Sequence, residues 1–221
     1  RRNGFDKVSQ LKLAVSKKLQ AFVLGGGYLF AMCSATDSWD IALSAEGLDI
    51  CESVFDGDGV TPGFQSQLNY DACFAFKNFK IFSNPILYEY SDIDNNPEIR
   101  KADKSNDYFT LFTFSAKFDP VPSMLTQNHT TTIKGFMGQT TAFRKEVIKS
   151  NVLILGENAA LNEVRYLHGE AGNGTFTFYA GHDPEDYQHI VGDPHTDLDL
   201  HPTSPGYRLI LNNVLFPAAK K

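Results

Sequence analysis

The chain has 221 residues, 42% of them hydrophobic and 21% charged, which is typical of one large globular domain or one domain carrying an insertion. Its net charge of -6 gives no electrostatic reason to bind nucleic acid, and no apolar run approaches the ~18–20 residues of a membrane span. Three cysteines without C-x-x-C spacing argue against a disulfide framework and against the common zinc sites.

The first predicted elements are a helix, a short strand and a second helix. Apolar residues recur at helical spacing through the first helix, at Val8, Leu11, Val15, Leu19 and Phe22. Asp6 is its predicted N-cap, and the glycine run 25–27 ends it because glycine adopts the left-handed conformation without steric cost. Residues 28–32 form a run too short for a helix, which predicts a buried parallel strand. A second helix is predicted over 37–45.

Cys33 lies at the corner where the predicted strand 28–32 passes toward the helix 37–45. Such a corner exposes a side chain at the carboxyl edge of a sheet, and the nearby helix N-terminus favours a thiolate. Hydrolytic α/β enzymes keep their nucleophile at a corner of this kind. The position therefore predicts a nucleophile, and the alternative is that Cys33 is a small buried hydrophobe.

The middle of the chain, residues 49–127, has a different pattern. It is rich in Phe, Tyr, Asn and Asp, with turn signals at 56–59, 62–63, 84–85 and 95–97. Period-2 runs at 75–82 and 108–114 lie between these turns and indicate hairpins or long loops. We interpret 49–127 as an insertion over the carboxyl edge of the sheet, within a single domain spanning 1–221.

Regular patterning returns near the C-terminus, with predicted strands at 151–155, 163–168 and 175–179. The last two strands are joined around Asn173-Gly174, which is a strong hairpin signal. A loop rich in Pro and Asp follows, and a final amphipathic helix ends at Pro217.

His182 follows the strand 175–179, and the acids Asp183 and Glu185 come directly after it. A cysteine nucleophile needs an imidazole to take the thiol proton and a carboxylate to orient the ring. A lone histidine in such a loop is more often an ordinary surface residue. Its pairing with Cys33 in the same sheet favours the catalytic interpretation.

These two motifs resemble those of the class I glutamine amidotransferase-like superfamily, which has a Cys corner after one strand and a later strand ending in His-Pro-Glu. The segments are GGYLFAMCSA at 26–35 and FTFYAGHDPEDY at 176–187. Within the superfamily the chain is similar to trehalose-utilisation (ThuA-like) proteins, which carry a strand ending in Gly-His-Asp. Their C-terminal helix also resembles SPGYRLILNNVLFPAA at 204–219. The resemblance covers about 8–46 and 151–219.

The resemblance implies an α/β, flavodoxin-like three-layer sandwich with a mostly parallel sheet, lacking its N-terminal strands, plus a β/loop-rich insertion. It also implies release of ammonia from glutamine through a thioester, without a cofactor. Cys33 matches the nucleophile, His182 the base, and Glu185 or Asp183 the orienting acid. The backbone N–H of Ser34 matches one oxyanion donor. The strands that normally precede the first helix imply a missing N-terminal segment or a partner chain.

The chain departs from the superfamily pattern at three positions. Ala31 and Ala35 stand where glycines are usual, and Asp183 separates His182 from Pro184. Bacterial proteins named asparagine synthetase B also look similar. The N-terminal Cys and the Ser-Gly-Gly signature of that enzyme's ATP-binding domain are not visible in this sequence.

Two other functions remain open at this point. One is a non-catalytic or carbohydrate-related ThuA-like binding module, in which the aromatic insertion binds the ligand. The other is a metal-dependent hydrolase that uses the late His/Asp loop, with candidate ligands His189, His195, Asp197 and His201. The spacing of these residues matches no zinc template, so the metal hypothesis is the weaker one. A small-molecule substrate is expected for the hydrolases, and the sequence leaves localisation unknown.

Overall fold

The structure, a computed structural model, describes residues 3–87, 90–95, 107–112, 130–138, 140–185, 192, 194–215 and 217. Its α-helices within these ranges are α1 (Val8–Leu24), α2 (Ala35–Ser44), α3 (Ser53–Asp56) and α4 (Pro205–Leu215). The strands are β1 (Tyr28–Met32), β2 (Tyr108–Leu111), β3 (Thr132–Met137), β4 (Phe143–Arg144), β5 (Leu153–Asn158), β6 (Glu163–Ala171), β7 (Gly174–Tyr179) and β8 (Asp183–Pro184).

The N-terminal helix, strand and helix follow the predicted order. α1 stops at the glycine run, where the Gly25 N–H donates to the Ala21 carbonyl at 3.0 Å and Gly26 adopts a φ of 112°. Lys7, with extended backbone, occupies the N-cap position predicted for Asp6. β1 coincides with the predicted strand, and α2 begins at Ala35, slightly before the predicted start.

The strands form one mixed, curled sheet in the order β1-β7-β6-β5-β2-β3-β8, with β4 paired to β6. β1 and β7 run parallel, with Met32 opposite Tyr179. All other pairings of named strands in the described ranges are antiparallel. The prediction of a flavodoxin-like sandwich with a mostly parallel, helix-flanked sheet is therefore wrong.

Short connections explain why the sheet is mostly antiparallel. β6 and β7 are joined only by Gly172 and Asn173, and β5 and β6 only by residues 159–162. Strands joined by so few residues pair antiparallel, because a parallel pair needs a crossover of about a dozen residues or more. The Asn-Gly turn signal predicts the β6–β7 hairpin from local chemistry, whereas the mostly parallel sheet is what the resemblance implies.

The core lies on both faces of this sheet. Phe178 belongs to a large cluster that includes Phe74 and Phe76, and neighbouring Tyr179 belongs to a second cluster with Leu209 of α4. Because successive strand residues point to opposite faces, the two clusters lie on opposite sides of β7. One face of the sheet is thus covered by the aromatic segment, residues 74–76, and the other face is covered by α4.

Asp40 of α2 ties residues 74–76 to that helix. Its buried carboxylate accepts backbone N–H groups from Phe74 at 2.6 Å and from Ala75 and Phe76 at 2.8 Å each. The segment 75–82, predicted to alternate as a strand, instead makes isolated bridges such as Phe76 with Ile148. The Asp40 carboxylate on α2, and not a neighbouring strand, accepts the backbone N–H groups at the start of this segment.

The described part of 49–127 contributes directly to the main sheet, since β2 lies between β5 and β3. Residues 96–106 and 113–127 lie outside the described ranges, and the insertion boundaries stay a prediction. None of the helices in the described ranges has both the length and the apolar character needed to cross a membrane.

Candidate active site

Cys33 occupies a strained corner between β1 and α2. Its φ is 56°, in the left-handed region that non-glycine residues rarely adopt. The Cys33 N–H donates to the carbonyls of Tyr179 at 3.0 Å and Gly181 at 3.2 Å, and its own carbonyl accepts from Thr36. These bonds hold a backbone conformation that is costly in isolation, as strained residues at functional sites often are held.

His182 lies beside Cys33 because β1 and β7 are parallel and end at the same edge of the sheet. A side-chain hydrogen bond joins the two residues, and Asp183 Oδ2 lies 2.9 Å from His182 Nδ1. The hydrogen bond with Cys33 is the main cause that raises the pKa of His182 to about 9. Asp183 raises the pKa further, while burial of the ring opposes both effects.

The two acids that follow His182 have different partners. Asp183 contacts the His182 ring, whereas Glu185 Oε2 lies 3.7 Å from His201 Nδ1. Glu185 also has a φ of 71°, so the chain turns sharply after β8. The structure therefore places Asp183, and not Glu185, against the ring.

Gly138 was not recognised as a site residue from the sequence. It follows β3, and a Cβ atom built on it would lie 3.0 Å from Cys33 Sγ and 2.8 Å from Gly181 Cα. The same atom would lie 3.2 Å from His182 Cδ2. The backbone of Gly138 thus closes one side of the Cys33–His182 pair, a contact between distant chain segments that no local pattern reports.

Asp37 and Asp94 form a second group of acids near Cys33 that was missed. Asp37 lies in the first turn of α2 and is 3% exposed, and within the described residues its Oδ1 accepts no hydrogen bond. Burial raises the pKa of Asp37 to about 8, and the charges of Asp94 and Cys33 add to this. Asp94 Oδ1 accepts the N–H groups of Thr141 and Ala142, just after the segment that holds Gly138.

Ser34 occupies the N-cap position of α2, and its carbonyl accepts the Ser38 N–H at 3.3 Å. The first N–H groups of a helix point out of its N-terminal end, which here faces the Cys33 corner. The assignment of the Ser34 N–H as an oxyanion donor stays a prediction.

In the described ranges, the late His/Asp loop contributes no residue to a cluster of possible metal ligands, so the metal hypothesis gains no support there. The group of three possible ligands found in these ranges is Asp49, Cys51 and Asp56, whose ligand atoms lie within 4.8 Å of one another. The Lys7 ammonium already donates to Asp49 Oδ2 at 2.8 Å. His195, Asp197 and His201 belong to no such group in the described residues, and His189 lies outside them.

No family model, no curated protein and no solved structure matches this chain. The amidotransferase-like resemblance therefore stays a prediction that rests on the two motifs and the C-terminal helix.

Proposed function

We propose that the chain is an amidotransferase-like cysteine hydrolase that acts on a small amide such as glutamine. Cys33 is the nucleophile, His182 the general base and acid, and Asp183 the residue that orients the ring. The observation that carries the proposal is the hydrogen-bonded series from Cys33 through His182 to Asp183. A nucleophile, a base and an orienting acid in contact are the minimum that acyl transfer requires.

The raised pKa of His182 defines the resting state of the site. With a pKa of about 9, the imidazole holds its proton at neutral pH next to the sulfur. An imidazole with this pKa accepts the proton that Cys33 gives up when it becomes a thiolate, and Asp183 balances the charge on the ring. An imidazolium placed in this way stabilises the thiolate and stands ready as an acid.

The reaction proceeds in two halves. The thiolate attacks the amide carbon, the carbonyl electron pair moves to oxygen, and His182 gives its proton to the nitrogen, which leaves as ammonia. The acyl group remains on Cys33 as a thioester. Neutral His182 then takes a proton from water, the resulting hydroxide attacks the thioester, and the carboxylic acid leaves with the thiolate restored.

The oxygen of each tetrahedral intermediate needs hydrogen-bond donors. The Ser34 N–H, at the start of α2, is the donor that the resemblance implies. The resemblance also implies a second donor.

The proposal is tested by ammonia release from glutamine and other small primary amides, with Cys33→Ala as the key variant. We expect turnover to fall to background, because the substitution removes the sulfur that forms the thioester. Cys51→Ala is the matched control, since Cys51 is also partly exposed but lies in another cluster. Turnover that persists in the Cys33→Ala variant would contradict the proposal. Sugar binding that survives the substitution, without turnover by the native protein, would support the binding module instead.

A further inference from the structure

Asp49, Cys51 and Asp56 form a group that the proposed reaction does not use. One carboxylate oxygen from each aspartate and the Cys51 sulfur lie within 4.8 Å of one another. The Asp49 Oδ1 atom accepts the Cys51 N–H at 3.0 Å, so a local turn holds these two side chains together. Ligand atoms lie about 2.0–2.3 Å from a bound zinc ion. Small side-chain rotations are therefore enough to bring all three atoms around one ion.

Asp56 is turned inward although its neighbours on α3 are turned outward. Each Asp56 carboxylate oxygen exposes less than 1 Å², and no group in the described residues donates a hydrogen bond to either. Val54 and Phe55, by contrast, are 70% and 60% exposed. Shielding a carboxylate from water without a donor is costly, and the exposed apolar side chains offset none of that cost. The chain thus directs into this group an anion whose missing partner is a cation.

Lys7 is a cation that the structure already places in this group. Its ammonium donates to Asp49 Oδ2 at 2.8 Å and also to Asp58 Oδ2. Asp58 lies beside Asp56, but two ionised carboxylates offer each other no donor. The charge of Lys12 acts on Cys51 as well. The Lys7 ammonium therefore serves two of the three carboxylates and leaves Asp56 without a donor.

We propose that Asp49, Cys51 and Asp56 form a binding site for a thiophilic divalent cation such as zinc, which displaces the Lys7 ammonium from Asp49. Oxygen ligands alone favour calcium or magnesium, whereas a thiolate ligand favours zinc or cadmium. On binding, Cys51 releases its proton to solvent and its sulfur bonds to the metal. Lys7 keeps its proton and stays with Asp58. The ion ties α3 to the segment before it, and the site is independent of the proposed hydrolase function.

The test measures alkylation of Cys51 by iodoacetamide in the native protein, with and without a tenfold excess of zinc. Mass spectrometry of separate peptides distinguishes Cys51 from any zinc bound at Cys33. Because a metal-bound thiolate is withdrawn from alkylation, we expect Cys51 to react at least tenfold more slowly with zinc. Calcium at the same concentration should leave the rate unchanged, since a hard cation does not bind sulfur. No protection by zinc, or equal protection by calcium, overturns the inference.

Asp56→Asn distinguishes a built site from incidental binding of zinc to a thiol. The substitution removes the anionic ligand at constant size, so the same protection of the thiol should need at least tenfold more zinc. Asp71→Asn is the matched control, because Asp71 is exposed and belongs to no group of possible ligands in the described residues. A zinc requirement in Asp56→Asn equal to that of the native protein overturns the inference.

Lys7→Met should have the opposite effect, because it removes the cation that competes for Asp49. We expect protection of Cys51 to need at least threefold less zinc than in the native protein. Alkylation of Cys33 without metal should keep its native rate in every variant, which reports an intact fold. An unchanged zinc requirement in Lys7→Met would overturn the displacement of Lys7 by the metal.

Discussion

Cys33 and Cys51 are both partly exposed thiols with carboxylates nearby, yet their surroundings act on them differently. At Cys51, burial raises the pKa of the thiol, and the charges of Asp49 and Asp56 raise it further. At Cys33, the imidazole of His182 lies between the sulfur and the carboxylate of Asp183. The comparison teaches that the order of groups matters more than their number. A carboxylate next to a thiol opposes ionisation, and the same carboxylate behind an imidazole supports it.

The largest expected effect comes from removing the imidazole. His182→Gln should slow alkylation of Cys33 at pH 7 by about 100-fold, in keeping with the contribution of a positioned acid–base group. Cys51 in the same sample should keep its native rate, because His182 is not among the groups that affect it. The measurement is iodoacetamide labelling followed peptide by peptide. Equal reactivity of Cys33 in the variant and the native protein would show that His182 does not activate Cys33, and that the surroundings of Cys33 and Cys51 do not differ as described.

The buried acid near Cys33 should have the next largest effect, on stability. The pKa of Asp37 is about 8 in the folded protein, above the ordinary aspartate value of 3.8, so the folded protein holds this proton over a pH range in which the unfolded chain has lost it. Stability of the native protein therefore falls as pH rises from about 4 to about 8. Asp37→Asn removes that fall, so its stability relative to the native protein should rise with pH over the same interval, by at most about 1.4 kcal/mol for each pH unit.

Urea unfolding of both proteins at pH 5 and pH 8 measures this difference, and pH effects that do not involve Asp37 cancel between them. A difference that stays constant with pH would mean that Asp37 is ionised in the folded protein.

A smaller effect should separate the two acids after His182. Asp183→Asn removes a group that raises the pKa of His182, so the imidazolium should lose its proton at a pH below about 9. We expect labelling of Cys33 to slow between about pH 8 and pH 9, where the native ring keeps its proton and the variant ring has begun to lose it, with little change at pH 7. Glu185→Gln is the matched control and should leave the rate unchanged. The reverse result would assign the orienting role to Glu185.

The smallest effect concerns Cys51. Asp49→Asn removes a charge that raises the pKa of the Cys51 thiol, while Lys7, whose charge lowers that pKa, keeps Asp58 as a partner. Losing the Asp49 charge increases the thiolate fraction, so labelling of Cys51 at pH 8 should become about two- to threefold faster. Cys33 serves as the internal control. A slower reaction of Cys51 would contradict the charge argument.

Local signals predicted the parts of the site that are short in sequence. The apolar run and glycines predicted β1 and the Cys33 corner, and Asn173-Gly174 predicted the hairpin that leads to His182. Each depends on neighbouring residues and on the periods of strand and helix. The choice between Asp183 and Glu185 was left open, because it depends on a backbone turn with a positive φ that composition does not report.

Long-range pairing explains what was not predicted. Gly138 reaches Cys33 only because β3 pairs with β8, and Asp37 is affected by Asp94 only through packing between distant segments. The sheet itself was predicted wrongly because the resemblance implied mostly parallel strands, whereas short connections make β5, β6 and β7 antiparallel. A resemblance in two motifs carries information about the corner and the hairpin, but not about which strands pair around them.

The positive φ of Cys33 has a cost in the stability of the folded protein. A non-glycine residue in the left-handed region costs about 1–2 kcal/mol relative to one in the right-handed region, and glycine avoids the cost. Folding alone would therefore favour glycine at this position. Cys33 therefore lowers the stability of the fold slightly. In a chain that no longer used this sulfur for a reaction, a substitution to glycine at position 33 would increase stability.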